Sequence, residues 1–209
     1  RITHFSKGKA PTTSFALANS PHSLRQGGIP QEGGHGETMM GETMRAMVLD
    51  EFGGPEVLHI AEIERPRAAP GNVIVQVAYA GVNPADWKAR EGWLARYFQY
   101  QFPFVVGFDA AGVVAEVGEG VTGLKVGDRV VTASNQGIGE RGSYAEYVAS
   151  AEERCVKLPD HVSLVDAAAM PTAAITAYEA TFDVGGAQEG AFVLVNGGAR
   201  ATLLIEGDT

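Results

Sequence analysis

Runs in which apolar and other residues alternate, separated by glycine-rich turns, fill the middle of the chain. The clearest is NVIVQVAYAGVN, where Val73, Val75 and Val77 occupy every second position. A period of two is the pattern of a strand with one buried face. This run is therefore predicted to be a half-buried strand, with Ile74 and Gln76 on its other face.

Further β-rich segments lie between Arg45 and about Leu158. Many short strands at close spacing, joined by glycine-rich turns, predict a small barrel rather than a parallel sheet. Three glycines within the strand patterns, Gly107, Gly112 and Gly118, fit bulges and corners where a barrel bends. The remaining strands are predicted in MRAMVLDEFG, LHIAEIERPRAAPG, AAGVVAEVGEGV, GDRVVTAS and GSYAEYVASAEERCVKLP, of which the last supplies two.

From Ser163 the pattern becomes alanine-rich and helical. Ser163 is a favourable N-cap, and Pro171 interrupts the first helix and starts a second over about 172–182. The two glycines at 185–186 end that helix. The apolar, β-branched run 191–196 then predicts a buried strand.

Residues 1–43 mix Gly, Ser, Pro, Thr and His without a sustained period, which predicts a disordered N-terminal extension. The segment has no acidic residue before Glu32, so a transit peptide is an alternative interpretation. The sequence from Met44 resembles a natural start. The fold class expected for the rest is mostly β with flanking helices (α+β), with a barrel domain over 44–162 and a second segment over 163–209.

Composition narrows the classes of partner. With 45% hydrophobic residues in 209, the chain can bury a sizeable core. A formal net charge of −9 argues against nucleic acid and anionic membrane surfaces, and no apolar run is long enough to cross a bilayer. The single cysteine, Cys155, excludes an internal disulfide and is interpreted as a small hydrophobe. We expect a cytoplasmic protein that acts on a small molecule.

Four motifs follow one another between Met44 and Ala199: GVNPADWKAREG, PFVVGFDAAGVVAEVGEGVTGLKVGDRV, GSYAEYV and AAAMPTAAITAYEA. Together they resemble the zinc-free medium-chain dehydrogenase/reductases, the group of quinone oxidoreductases, zeta-crystallin and related enoyl reductases. The resemblance implies a GroES-like catalytic barrel, two helices and the first strand of an incomplete NAD(P)-binding Rossmann domain. The matching residues are Asn83, Pro84, Asp86, Arg90 and Gly92 in the first motif and Gly107, Gly112, Gly118, Gly127, Asp128 and Arg129 in the second.

The same motifs lack the ligands of the zinc-dependent relatives. Those relatives place a Cys in the first motif and Gly-His-Glu in the second, because zinc needs thiolate and imidazole ligands. Here the first motif has Asn83-Pro84-Ala85-Asp86 with no Cys, and the second has Gly107-Phe108-Asp109. We therefore expect no catalytic metal, and interpret the five histidines as surface or tail residues.

Without a metal, the chemistry implied by the resemblance is hydride transfer from NADPH to a quinone or an α,β-unsaturated carbonyl. The developing enolate oxygen needs a donor. By resemblance Asn83 faces the nicotinamide and the substrate, where an amide both donates and accepts. The alternative is that Asn83 only accommodates the turn before Pro84.

Two further positions are expected at the cofactor. Trp87 stands where relatives often have a Tyr beside the nicotinamide, and Thr176 matches a threonine that contacts the nicotinamide end. Each alternatively is a packing residue. Asp86 and Arg90, spaced i and i+4, are predicted to form a structural ion pair. The aromatic-rich segment 92–104 lines a pocket for a cyclic substrate or packs at the barrel edge.

A dinucleotide site needs glycines after the strand and then a helix N-terminus. If Gly197 is the first glycine of the family's pattern, the later ones fall at Arg200, Ala201 and Leu203. The match therefore ends at Arg200, as a frameshift or broken gene model would make it. We expect a chain truncated at the start of the cofactor domain and inactive alone.

Two functional hypotheses remain at this point. The first is the amino-terminal part of an NADPH-dependent, zinc-independent reductase of quinones or activated alkenes, with an enoyl-thioester reductase as a variant of the same class. The second is a standalone, non-enzymatic barrel whose exposed strand pairs with another chain. Homo-oligomerisation is compatible with either hypothesis.

Overall fold

The computed structural model describes residues 42–134, 136 and 141–195. Within these ranges the chain forms eight strands in two antiparallel sheets. The smaller sheet has the order β2-β1-β4, and the larger has the order β7-β3-β5-β6-β8. The strands are β1 (Thr43–Leu49), β2 (His59–Glu64), β3 (Asn72–Ala80), β4 (Phe104–Val105), β5 (Asp109–Val117), β6 (Arg129–Ala133), β7 (Tyr147–Ala151) and β8 (Cys155–Lys157).

The segment before β7 joins the two sheets. The Met47 amide donates to the Tyr144 carbonyl at 2.7 Å, and Ala46 forms an isolated bridge with Ala145. On the other side, the Val77 amide donates to the Glu146 carbonyl at 2.9 Å. The segment thus lies between β1 and β3, and the curled sheets form the predicted mostly β fold of half-barrel shape.

Every β-rich segment predicted between Arg45 and Leu158 carries a strand, and the short strand β4 lies in the aromatic segment where none was predicted. One face of β3 packs into the main core through Val73, Val75 and Val77. The prediction of a half-buried strand fails at Ile74, which is fully buried. The register shift between Ile74 and Val75 leaves an extra residue, Ala115, in β5, so the alternation of β3 itself continues and Ile74 is buried on its other face.

Three helices accompany the strands in the described part of the chain. They are α1 (Pro84–Arg90), α2 (Leu164–Ala168) and α3 (Pro171–Tyr178), and α3 continues into a π-helical turn over Glu179–Val184. The predicted start at Pro171 is confirmed, and the chain leaves the turn at Gly185. Helix α2 packs on the larger sheet through Ala167 and Ala168, so the helical segment shares a hydrophobic cluster with the barrel. Short 3₁₀ turns occur at Pro55–Val57 and Glu152–Arg154.

Two predictions concern the ends of the described region. Residues 191–195 form no strand, contrary to the predicted strand over 191–196, and Phe192 and Leu194 are almost fully exposed. A strand of a parallel sheet requires neighbouring strands, and none lies beside this segment in the described residues. Residues 1–41 and 196–209 lie outside the described residues, β1 begins at Thr43, and the proposed domain boundaries stay predictions.

Ser163 caps α2 as predicted. Its hydroxyl accepts a hydrogen bond from the Asp166 amide at 3.1 Å and donates to the Asp166 carboxylate at 2.6 Å. We expect Ser163→Ala to lower the free energy of unfolding by about 1 kcal/mol, because α2 loses the partner of an otherwise unsatisfied amide. Urea denaturation measures this loss. Thr122→Ala, which removes an exposed turn hydroxyl, is the control, and an equal loss in both variants would contradict the capping role.

Candidate active site

The first two motifs meet where β3 ends and β5 begins. Ala80 pairs with Ala110 across the two strands, and the Gly81 amide donates to the Asp109 carbonyl at 3.0 Å. This pairing brings Asn83 to Asp109, although 26 positions separate them in sequence. The Asn83 Nδ2 donates to Asp109 Oδ2 at 2.9 Å. In the two motifs that hold metal ligands in zinc-dependent relatives, this chain therefore has an amide–carboxylate hydrogen bond.

Asn83 is held at the N-terminus of α1. Pro84 occupies the first helical position, and the Asp86 carboxylate accepts from the Asn83 backbone amide at 2.6 Å, which is the carboxylate half of a capping box. The Asn83 side chain is half-buried. Its Nδ2 carries two hydrogens and has one acceptor among the described residues, Asp109. One N–H is therefore left to donate to a ligand.

Asp109 joins Asn83 to α3. Its side chain is fully buried. The Thr172 amide donates to both carboxylate oxygens, at 3.2 and 3.1 Å, and the Thr172 hydroxyl donates to Oδ1 at 2.6 Å. Burial raises the pKa of Asp109 above its ordinary value, while the hydrogen bonds from Thr172 and Asn83 lower it in part. Thr172 was not predicted from the sequence to be a site residue. The only related prediction was the helix start marked by Pro171, the residue before it.

Asp86 is the second buried carboxyl group of the site, 3% exposed. Besides the Asn83 amide it accepts from the Phe108 amide at 3.1 Å and from the Tyr144 hydroxyl at 3.0 Å. Burial raises the pKa of Asp86 to about 6, against the lowering effect of these donors. The Gln136 amide lies 3.5 Å from Oδ1, at the limit of a hydrogen bond.

The predicted ion pair between Asp86 and Arg90 is wrong. Arg90 instead donates to the Glu91 carboxylate and to the Gly53 carbonyl, each at 3.0 Å. The capping box and the buried donors hold Asp86 on the inner side of α1. The i, i+4 spacing alone therefore gave the wrong partner.

The Tyr144 hydroxyl donates its hydrogen bond to the buried carboxylate of Asp86. Burial, followed by the charge of Asp86, raises the pKa of Tyr144 above that of an ordinary phenol. Tyr144 therefore stays protonated across the physiological pH range and donates a hydrogen bond to Asp86. Its side chain also packs against three core clusters, around Val75, Val105 and Phe104.

The other two predicted site residues do not join this network. Trp87 packs edge-on against Trp93, with ring centroids 5.0 Å apart. Thr176 is exposed on α3, one helical turn after Thr172. Their contacts with a cofactor stay predictions, and Asn83 is the predicted residue that the described network includes.

The aromatic segment over 92–104 packs on itself and on its surroundings. Tyr100 lies edge-on to Phe52 and to Phe104, with centroids 5.1 and 4.6 Å apart. Phe98 reaches Phe108, the residue before Asp109, at 6.5 Å. This arrangement supports the interpretation of the segment as barrel-edge packing. The contact of Phe98 with Phe108 also places one side of the aromatic cluster next to Asp109 in sequence.

Within the described ranges, no group of His, Cys, Asp and Glu side chains is arranged to hold a metal ion. His59 and His161 are exposed, and the other three histidines fall outside those ranges. Burial raises the pKa of the Cys155 thiol, which agrees with its interpretation as a small hydrophobe. No helix in the described part of the chain is long and apolar enough to span a membrane. The glycine pattern from Gly197 onward also lies outside it.

The chain is similar in sequence to several known proteins. Residues 69–160 match the alcohol dehydrogenase GroES-like domain. A trans-enoyl reductase of Gibberella fujikuroi is 42% identical over 135 residues, covering 65% of this chain and 37% of that protein. A quinone oxidoreductase of Lama guanicoe is 38% identical over 155 residues, covering 74% of this chain and 45% of that protein.

Solved structures give the same likeness. The human synaptic vesicle membrane protein VAT-1 homolog-like protein superposes with a TM-score of 0.65 at 34% identity, over 71% of this chain and 46% of that one. The Escherichia coli quinone oxidoreductase in complex with NADPH gives 0.58 at 28% identity, over 67% and 41%. The chain spans less than half the length of each of these four proteins. It belongs to the medium-chain dehydrogenase/reductase family, as a relative of the quinone oxidoreductases with a GroES-like domain.

Proposed function

We propose that this chain is the catalytic part of an NADPH-dependent, zinc-independent oxidoreductase that reduces quinones or α,β-unsaturated carbonyls. The observation that carries the proposal is the half-buried Asn83 amide, held by Asp109 and presenting an unused N–H. The quinone oxidoreductase and the trans-enoyl reductase among its relatives support the reaction class. The complex of the Escherichia coli quinone oxidoreductase with NADPH supports the cofactor.

The described residues fit one end of the proposed cofactor. NADPH supplies a hydride when bound. In this proposal Asn83 supplies a positioned donor, and Trp87 and Thr176 supply a ring and a hydroxyl to the nicotinamide end. No described residues form a glycine-rich turn before a helix that would hold the pyrophosphate. We therefore expect residues 42–195 alone to bind NADPH more weakly than micromolar.

Asn83 has a specific task in this proposal. A carbonyl oxygen gains negative charge while the β-carbon accepts hydride, and a donor fixed beforehand lowers the barrier without reorganising. Asn83 supplies that donor. Tyr144 does not compete for the task, because its hydroxyl is directed to Asp86. The proton that completes the reduction comes from a group other than Asn83, since an amide donates a hydrogen bond and keeps its protons.

A chimera tests the activity. Residues 42–184 would precede the cofactor domain of the Lama guanicoe quinone oxidoreductase, and NADPH oxidation would be followed at 340 nm with 1,4-benzoquinone, 2-cyclohexenone or a trans-2-enoyl thioester. We expect turnover of the quinone or the enone, and Asn83→Ala to lower kcat by about ten- to a hundredfold. Thr122→Ala is the control.

Two results of the assay would overturn the proposal. The first is a folded chimera that binds NADPH but reduces none of the three substrates. The second is an Asn83→Ala chimera as active as its parent. Turnover of the thioester alone would favour the enoyl-thioester reductase, which the 42% identity to a trans-enoyl reductase already suggests as a second candidate. Size-exclusion chromatography of the chain tests the standalone-module hypothesis, which requires a defined oligomer formed through residues 191–195.

A further inference from the structure

Asp109 receives hydrogen bonds from two parts of the site and has no cationic partner among the described residues. The Asn83 amide approaches Oδ2, and the Thr172 hydroxyl approaches Oδ1, with the Thr172 backbone amide shared between both oxygens. Every one of these groups is a donor. These donors are best matched by an acceptor-only side chain, and an ionised carboxylate is one.

We propose that Asp109 is a positioning residue, which fixes the orientation of the Asn83 amide and ties it to the start of α3. The inference rests on the proposed function, because it assigns Asn83 the task of donating to the substrate. Asp109 itself is fully buried. It acts through the side chains that it binds.

The orientation follows from the chemistry of the two partners. The oxygen and the NH₂ group of an amide side chain are similar in shape, so hydrogen-bond partners decide which of the two faces a given neighbour. Because Asp109 accepts, Nδ2 of Asn83 must face it, and Oδ1 must face away. One N–H then remains on the Nδ2 side for a developing oxyanion. Without the carboxylate, the amide is free to turn and present its oxygen, which repels an oxyanion.

The hydrogen bonds from Thr172 also connect Asp109 to α3. Thr172 lies in the first turn of α3, and Thr176 lies one turn later on the same helix. A single carboxylate thus sets the distance between the Asn83 amide and the helix that carries Thr176. A purely structural cap would stabilise α3 but would leave the Asn83 amide unchanged, and this difference can be measured.

Nuclear magnetic resonance of the isotope-labelled 209-residue chain tests the link directly, with the Asn83 side-chain signals assigned by their loss in Asn83→Ala. In the wild type we expect a coupling across the hydrogen bond between Asn83 Nδ2 and Asp109 Cγ, and exchange of the bonded proton at least about tenfold slower than in an exposed amide. Neither measurement requires a cofactor to bind, and a variant is used only to assign the signals. Fast exchange and no coupling in the folded wild type would overturn the proposal.

Matched variants separate positioning from capping. Asp109→Asn offers one acceptor and adds a donor, so we expect the Asn83 signals to shift and the slow exchange to be lost. Thr172→Val removes the hydroxyl hydrogen bond to Asp109 but leaves the Asp109 carboxylate as the acceptor for Asn83. The Asn83 signals should therefore keep their wild-type values. Equal changes in both variants, or no change in folded Asp109→Asn, would contradict the inference.

Kinetics of the chimera complete the test. We expect Asp109→Asn to lower kcat about tenfold and to leave the KM for NADPH within about threefold, with little further loss when Asn83→Ala is added. Independent, multiplicative losses would contradict the inference. If the parent chimera reduces no substrate, the proposed function fails, while the resonance measurements still decide whether Asp109 holds Asn83.

Discussion

Replacing Asp86 by alanine is expected to lower the free energy of unfolding at pH 7 by about 3 kcal/mol. The carboxylate accepts from the backbone amides of Asn83 and Phe108 and from the Tyr144 hydroxyl. The substitution leaves these buried donors without their acceptor, and relief of the buried charge offsets part of that cost. Urea denaturation followed by circular dichroism measures the change.

The cost should grow as the pH falls. The pKa of Asp86 in the folded protein is raised to about 6 from the usual aspartate value of 3.8. The folded state therefore binds this proton more readily than the unfolded state. The stability contributed by Asp86 is fully present below 3.8 and falls as the pH rises through about 6, by about 3 kcal/mol. The difference between wild type and Asp86→Ala should thus be larger at pH 4.5 than at pH 7.

Asp160→Ala is the matched control, since Asp160 is exposed and its backbone, not its side chain, bonds Arg129. We expect this variant to stay within about 0.5 kcal/mol of wild type at both pH values. A difference for Asp86→Ala that shrinks on acidification would mean that the donors, rather than burial, dominate the pKa of Asp86. That result would contradict the electrostatic description of the site.

The elements of this fold were predictable because they rest on local patterns. Alternation indicated β3, turn glycines separated the strands, and Ser163 and Pro171 marked the helix starts. Each of these signals lies within a few residues of the element that it predicts. The failures have non-local causes: Ile74 lies on a face of β3 that other parts of the chain cover, and residues 191–195 would need strands that do not lie beside them.

The site was predictable only in part for the same reason. Asn83 was identified from its motif, but its partner Asp109 appeared in sequence analysis only as a residue that is not a zinc ligand. The bond between them depends on the pairing of β3 with β5, and the Thr172 contact depends on α2 and α3 packing against that sheet. Donors that reach one carboxylate from two separate helix N-termini leave no periodic pattern in the sequence. The i, i+4 spacing of Asp86 and Arg90 was misleading, since helix geometry states only which residues share a face.

Gly112→Ala is expected to lower the free energy of unfolding by about 3 kcal/mol, because β5 lies too close to β3 for a side chain there. A Cβ at Gly112 would stand 2.9 Å from the carbonyl carbon of Gln76 and closer still to its oxygen. Both atoms are backbone, so no rotamer change relieves the clash. The substitution must push β5 away from β3, or break the pairing of Gly112 with Val77.

The same displacement should reach the candidate site, because Asp109 lies three residues before Gly112 on β5. We expect the Asn83 side-chain amide to lose its slow exchange in folded Gly112→Ala, as in Asp109→Asn. Gly123→Ala is the control, since a Cβ there meets only the end of the flexible Glu152 side chain, at 3.0 Å. A Gly112→Ala protein that loses less than about 1 kcal/mol and keeps the wild-type Asn83 signals would show that β3 and β5 can separate at this point. In that case strand pairing would not be what holds the amide and the carboxylate together.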